Sequence, residues 1–67
     1  MKDNARIKEL REEGIKMMID DIKYAEKLGI DGEDLWEGII LDQYSYYNTE
    51  EDKIEAFRRA GYTVEID

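Results

Sequence analysis

The chain has no cysteine, no histidine and no proline. Without cysteine it has no disulfide staple, and without cysteine or histidine it cannot build the usual zinc site. Nucleophilic triads need a base, ordinarily histidine, to activate the attacking group. With neither histidine nor cysteine, and with Ser45 as the only serine, acyl-transfer chemistry is not expected. The five glycines are scattered and form no phosphate-cradling loop. No apolar run approaches the ~18 residues that a membrane span needs. Met1 to Leu10 is charged throughout and lacks the apolar centre of a signal peptide. The expected compartment is the cytoplasm, of the producing cell or of a host cell. Bases are also scarce. Ten Lys and Arg stand against 18 Asp and Glu, a net charge of −8. DNA, RNA and anionic lipid are all bound through clustered Lys and Arg, so direct binding to any of them is not expected.

What is present suits a folded chain. Charged and hydrophobic residues each make up 42% of the 67 residues, and the apolar ones recur at regular spacing. The expectation is one small domain over residues 1–67. Such a chain buries a modest core and depends on regular helix packing or self-association.

The charge is unevenly distributed. Residues 1–30 carry equal numbers of acids and bases, so residues 31–67 hold the whole net charge of −8. Between Asp31 and Asp52 the acids are Asp31, Glu33, Asp34, Glu37, Asp42, Glu50, Glu51 and Asp52, with no base among them. Six of these eight fall in the first turns of expected helices, where the helix dipole favours negative charge. Glu37 and Asp42 do not.

Apolar periodicity sets the expected elements. Ile7, Leu10, Met18, Ile22, Ala25 and Leu28 recur at helical spacing, with Gly14 in one slot and Ile15 and Ile19 widening the stripe. They predict a helix from about Asn4 to Leu28, closed by Gly29 as the C′ residue with Ile30 folding back. Gly14 would cost this helix about 1 kcal/mol relative to Ala, and a close helix crossing is one reason to keep it. A second helix is expected from an Asp31 N-cap to near Tyr46, with Ile30 and Leu35 as a hydrophobic staple and Asp34 completing a capping box. Trp36, Ile39, Ile40, Tyr44 and Tyr47 would follow its inner face. A third opens at Asn48 or Thr49, in a capping box with Glu51 or Asp52 respectively. It carries Ile54, Phe57 and Ala60 inward and ends at Gly61 with Tyr62 packed on Phe57. From Tyr62 the period changes to two (Tyr62, Val64, Ile66), which reads as a short strand. It has no partner strand in the chain, so it pairs with another molecule, docks, or frays. The expected fold class is mostly α: one long helix packed against two shorter ones, with a short C-terminal β-strand.

No cofactor or metal is expected. Asp31 to Asp42 has the length of a calcium loop but carries Trp36 where such loops need Gly and Asp42 where they need Glu. Carboxylate pairs such as Glu37 with Asp42, or Glu13 with Asp20 and Asp21, could support acid–base chemistry. Three short helices, however, leave little room for a pocket of about 300 Å3. The expectation is therefore a non-enzymatic protein-binding module that docks onto a basic surface. Its candidate surface is Glu33, Asp34, Trp36, Glu37, Asp42, Tyr44, Tyr46, Tyr47, Glu50 and Glu51, since carboxylates beside aromatic rings suit an incoming Arg. The sharpest form is an inhibitor that occupies the nucleic-acid groove of a DNA- or RNA-handling enzyme as a nucleic-acid mimic. Acidic phage-encoded inhibitors such as anti-CRISPR proteins are similar in size and charge, and no motif carries the likeness further. Self-association, as a homodimer, is also expected, because Met17, Ile19 and Tyr24 lie off the main row of the first helix. The alternatives are a structural or assembly homo-oligomer and a small regulatory subunit, in either of which acidity serves only solubility.

Overall fold

The computed structural model describes residues 3–64. Three helices make up the fold, α1 (Asp3–Lys27), α2 (Gly32–Leu41) and α3 (Glu50–Arg59). Both short helices pack on α1, α3 more extensively than α2. Ile15, Met18 and Ile22 of α1 meet Leu35 and Ile39 of α2 and Ala56 and Phe57 of α3 in one buried cluster. Met18 and Ile22, four residues apart on one face, are wholly buried. Around the cluster lie Ile19, Ala25, Trp36, Tyr44, Ala60, Tyr62 and Val64. No helix among the described residues is long and apolar enough to cross a membrane.

Both glycine stops fall where the sequence puts them. Gly29 has φ 83° and Gly61 φ 102°, the left-handed geometry that glycine adopts without strain. Ile30 N–H donates to Ala25 O and Gly29 N–H to Glu26 O, each at 3.0 Å. Tyr62 N–H donates to Phe57 O at 2.9 Å and Gly61 N–H to Arg58 O at 3.0 Å. Each set is a Schellman closure. The second carries its expected apolar contact, with the Phe57 and Tyr62 rings edge to face at 5.5 Å.

Four expectations are corrected. First, α2 ends at Leu41 rather than near Tyr46. The Lys53 ammonium donates to the carbonyls of Ile40 and Asp42, both at 2.6 Å. In a longer helix the Ile40 carbonyl would already be taken by the N–H of Tyr44. Lys53 thus satisfies one orphan carbonyl of the helix end, that of Ile40, together with the carbonyl of the C-cap residue Asp42, and so favours a stop there. Second, Asp31 takes the extended backbone of an N-cap but its side chain makes no capping bond, so the Asp31–Asp34 box does not form. Third, Leu28 is 60% exposed rather than buried, because the chain turns away at Gly29 before anything covers it. Fourth, no strand is found among the described residues. Tyr62 and Val64 instead pack against the helical core, which gives their side chains cover without a partner strand. Ile66 lies outside the described residues.

Candidate functional site

The acids of the base-free stretch fall into two populations. Asp52 stands alone in the first. It is buried, and its carboxylate accepts from Arg11 Nε at 3.0 Å, Arg11 Nη2 at 2.7 Å, Asn48 Nδ2 at 3.0 Å and Thr49 N–H at 3.1 Å. The Thr49 hydroxyl accepts from Asp52 N–H in return, completing the capping box of α3. The Arg11 hydrogen bond, joined by those of Asn48 and Thr49, holds the Asp52 carboxyl below the usual carboxylate range, against the opposing pull of burial. Asn48 also donates to Arg11 O at 3.1 Å and lies directly over Gly14. A Cβ at Gly14 would come within 2.6 Å of Asn48 Cγ. Gly14 therefore does mark a close crossing. The buried Asn48 Oδ1 has no hydrogen-bond partner, since both acceptors of the junction call for the nitrogen.

The second population is Asp31, Glu33, Asp34, Glu37, Asp42, Glu50 and Glu51. All seven are exposed, and among the described residues none of their side chains joins a salt bridge or hydrogen bond. They are spread over several faces. Asp34 and Asp42 border a groove of about 260 Å3 between α1 and α2, floored by Ala25, Leu35, Gly38 and Ile39 and also lined by Asp21, Tyr24 and Ile30. Glu33 and Trp36 lie on the other side of α2, in a cleft of about 440 Å3 with Phe57, Tyr62 and Val64. There Trp36 is half-buried, its ring 5.2 Å from that of Phe57. Glu37 points outward between the two. Glu50 and Glu51 open α3.

The tyrosines divide similarly. Tyr44 is half-buried, and its hydroxyl donates to Asp21 at 2.8 Å. Burial, with this bond to a carboxylate, raises its pKa well above the ordinary phenol value. The Lys53 ammonium lies 6.0 Å from its ring. Tyr44 is thus a tie between α1 and the chain after α2. Tyr46 and Tyr47 sit in the loop before α3, edge to face at 5.3 Å, and Tyr46 is 87% exposed. The ten candidate residues therefore do not form one patch. Sequence reading missed Asp21, Tyr24 and Gly38 as groove residues. For Tyr24 the signal was available, seven residues after Met17 and four before Leu28.

The expectation of little room for a pocket of about 300 Å3 is also corrected. A cleft of about 570 Å3 runs beside the first half of α1, lined by Lys8, Glu9, Arg11, Glu12 and Asp52 among others. Each of its carboxylates has a cationic partner: Arg6 for Glu9, Arg59 for Glu12 and Arg11 for Asp52. No group of three potential metal ligands occurs among the described residues. No protein family matches the chain, and neither the curated proteins nor the solved structures contain a significant match to it.

Proposed function

We propose that this chain is a non-enzymatic protein-binding module that docks an acidic, aromatic-bearing surface onto a basic surface of a partner. The observation that carries this reading is the second population of acids: seven exposed carboxylates between Asp31 and Glu51, none of them in a salt bridge among the described residues. A one-signed field of this kind steers a basic partner and excludes acidic ones. The sharp form is an inhibitor that fills the nucleic-acid groove of a DNA- or RNA-handling enzyme in the cytoplasm, where its carboxylates stand in for phosphates.

The test is affinity capture with this chain as bait, comparing wild type with two charge-reversed doubles. Glu37→Lys with Asp42→Lys changes the acidic face. Glu9→Lys with Glu13→Lys makes the same change on the charge-balanced half; Glu12 is unsuitable there because it holds Arg59. A basic partner lost by the first double, kept by the second, and displaced by nucleic acid supports the proposal. Equal loss from both doubles, or none from the first, refutes it. A second reading, a homodimer or larger assembly, rests on the exposure of Met17, Tyr24 and Leu28 along α1. Sedimentation of a stable monomer at high micromolar concentration would exclude it.

A further inference from the structure

Seven large hydrophobic side chains are exposed among the described residues, and five of them lie on α1, on α2 or in the turn between the two. Tyr24 and Ile30 line the α1–α2 groove directly. Leu28 and Met17 continue the Tyr24 row at spacings of four and seven, along the same face of α1. Leu41, 83% exposed, lies one turn beyond Gly38 on α2. Scattered apolar residues need no explanation, whereas a contiguous row around a concavity marks a contact surface. The groove is also shaped for close approach. Its floor includes Ala25 and Gly38, and a Cβ at Gly38 would meet nothing within 4 Å. Three carboxylates, Asp21, Asp34 and Asp42, stand around this apolar floor, and no Lys or Arg lines it.

An apolar channel between two helices, edged by acids, is complementary to a third helix with an apolar row flanked by bases. We propose that the α1–α2 groove receives a single amphipathic helix of the partner, its apolar row seated over Gly38 and its Lys or Arg residues beside Asp21, Asp34 and Asp42. This rests on the basic-partner reading above and gives that partner a shape. A second copy of the chain fits worse. Antiparallel pairing of two α1 helices about Met17 sets Glu13 beside Asp20, and Arg6 beside Lys27, of the second copy. Parallel pairing sets Asp21 against Asp21.

The test is an NMR titration of the 15N-labelled full chain with a designed helical peptide of Leu and Lys, about 15 residues long so that the helix is formed. Oligolysine of equal charge and a Leu–Glu peptide serve as comparators. The proposal expects saturable shifts at Ala25, Asp34, Gly38 and Ile39 with the Leu–Lys peptide alone. Gly38→Leu fills the groove and Asp34→Lys reverses its edge. Each should weaken binding about tenfold or more, the scale of a hot-spot loss, with Glu9→Lys near wild type and circular dichroism unchanged throughout. Absence of saturable binding overturns the groove, while the basic-partner reading is decided separately by the capture experiment above. Binding that survives Gly38→Leu, or that maps to Trp36 and Tyr46, overturns the groove alone. A free dimer that Gly38→Leu dissolves puts a second copy in the groove instead.

Discussion

The junction of α1 with α3 and the groove between α1 and α2 use the same residue types to opposite ends. Each has a glycine on a helix and an acid near it. At the junction, Gly14 is filled by Asn48 and Asp52 has four hydrogen bonds. At the groove, the space over Gly38 is empty and Asp34 and Asp42 have no side-chain partner among the described residues. A buried acid must be satisfied or it destabilises the fold, so the junction acid is held by folding. Asp34 and Asp42 stay in water, and the fold makes no demand on their carboxylates; the third groove acid, Asp21, is exposed but accepts from the Tyr44 hydroxyl. What separates structure from interaction surface here is saturation rather than residue type.

The largest expected effect lies at the junction. Asp52→Ala removes the capping box and leaves Arg11 and Asn48 without their shared acceptor. Urea unfolding should show a loss of about 2–4 kcal/mol, the range for a broken buried polar network. A loss below about 0.5 kcal/mol, the level of an ordinary surface change, would erase the contrast between the two regions.

The glycines sharpen the comparison. Alanine is the better helix former by about 1 kcal/mol, so propensity alone predicts that Gly14→Ala and Gly38→Ala both stabilise. Crowding against Asn48 reverses the sign at Gly14, where overpacking costs about 1–3 kcal/mol. Gly38→Ala meets nothing and should stabilise by about 0.5–1 kcal/mol. Opposite signs in thermal unfolding are the expected outcome, and equal signs would mean that the crossing at Gly14 is not tight.

The smallest effect is in the pH dependence. The folded Asp52 carboxyl titrates below its unfolded value of about 3.9. Its contribution is therefore fully present above that value and is lost as pH falls through the lower folded one. The stability difference between wild type and Asp52→Ala should hold constant from neutral pH to about 5 and shrink below 4. A difference that grew on acidification would mean that burial, not hydrogen bonding, dominates at Asp52.

Much of this fold was legible because local chemistry fixes helix ends. Gly29, Gly61 and the Thr49–Asp52 box each act within a few residues, and each was found where the pattern put it. The end of α2 was not legible, because it is set by Lys53, eleven residues beyond Asp42, and no local signal points to that contact. Of the C-terminal period of two, Tyr62 and Val64 lie among the described residues and pack on the core, a burial that a docked segment gives as well as a strand does. The candidate surface was legible in charge and not in grouping. Which acids share a face depends on how α2 turns against α1, and the sequence of α2 alone does not contain that angle. Asp52 shows the limit most plainly: the sequence offers it as a capping residue, and only the long-range contact with Arg11 reveals it as a buried acid in an ion pair.

The most direct test of this division is the unfolding free energy of Asp34→Asn with Asp42→Asn beside that of Asp52→Asn. The account predicts that the groove double stays within about 1 kcal/mol of wild type, the helix-dipole contribution of Asp34 being all it loses. Asp52→Asn should lose about 1–3 kcal/mol, because its amide nitrogen would face the donors of Arg11, Asn48 and Thr49. Equal destabilisation by the two would show that the groove acids are held by the fold after all, and would contradict the account.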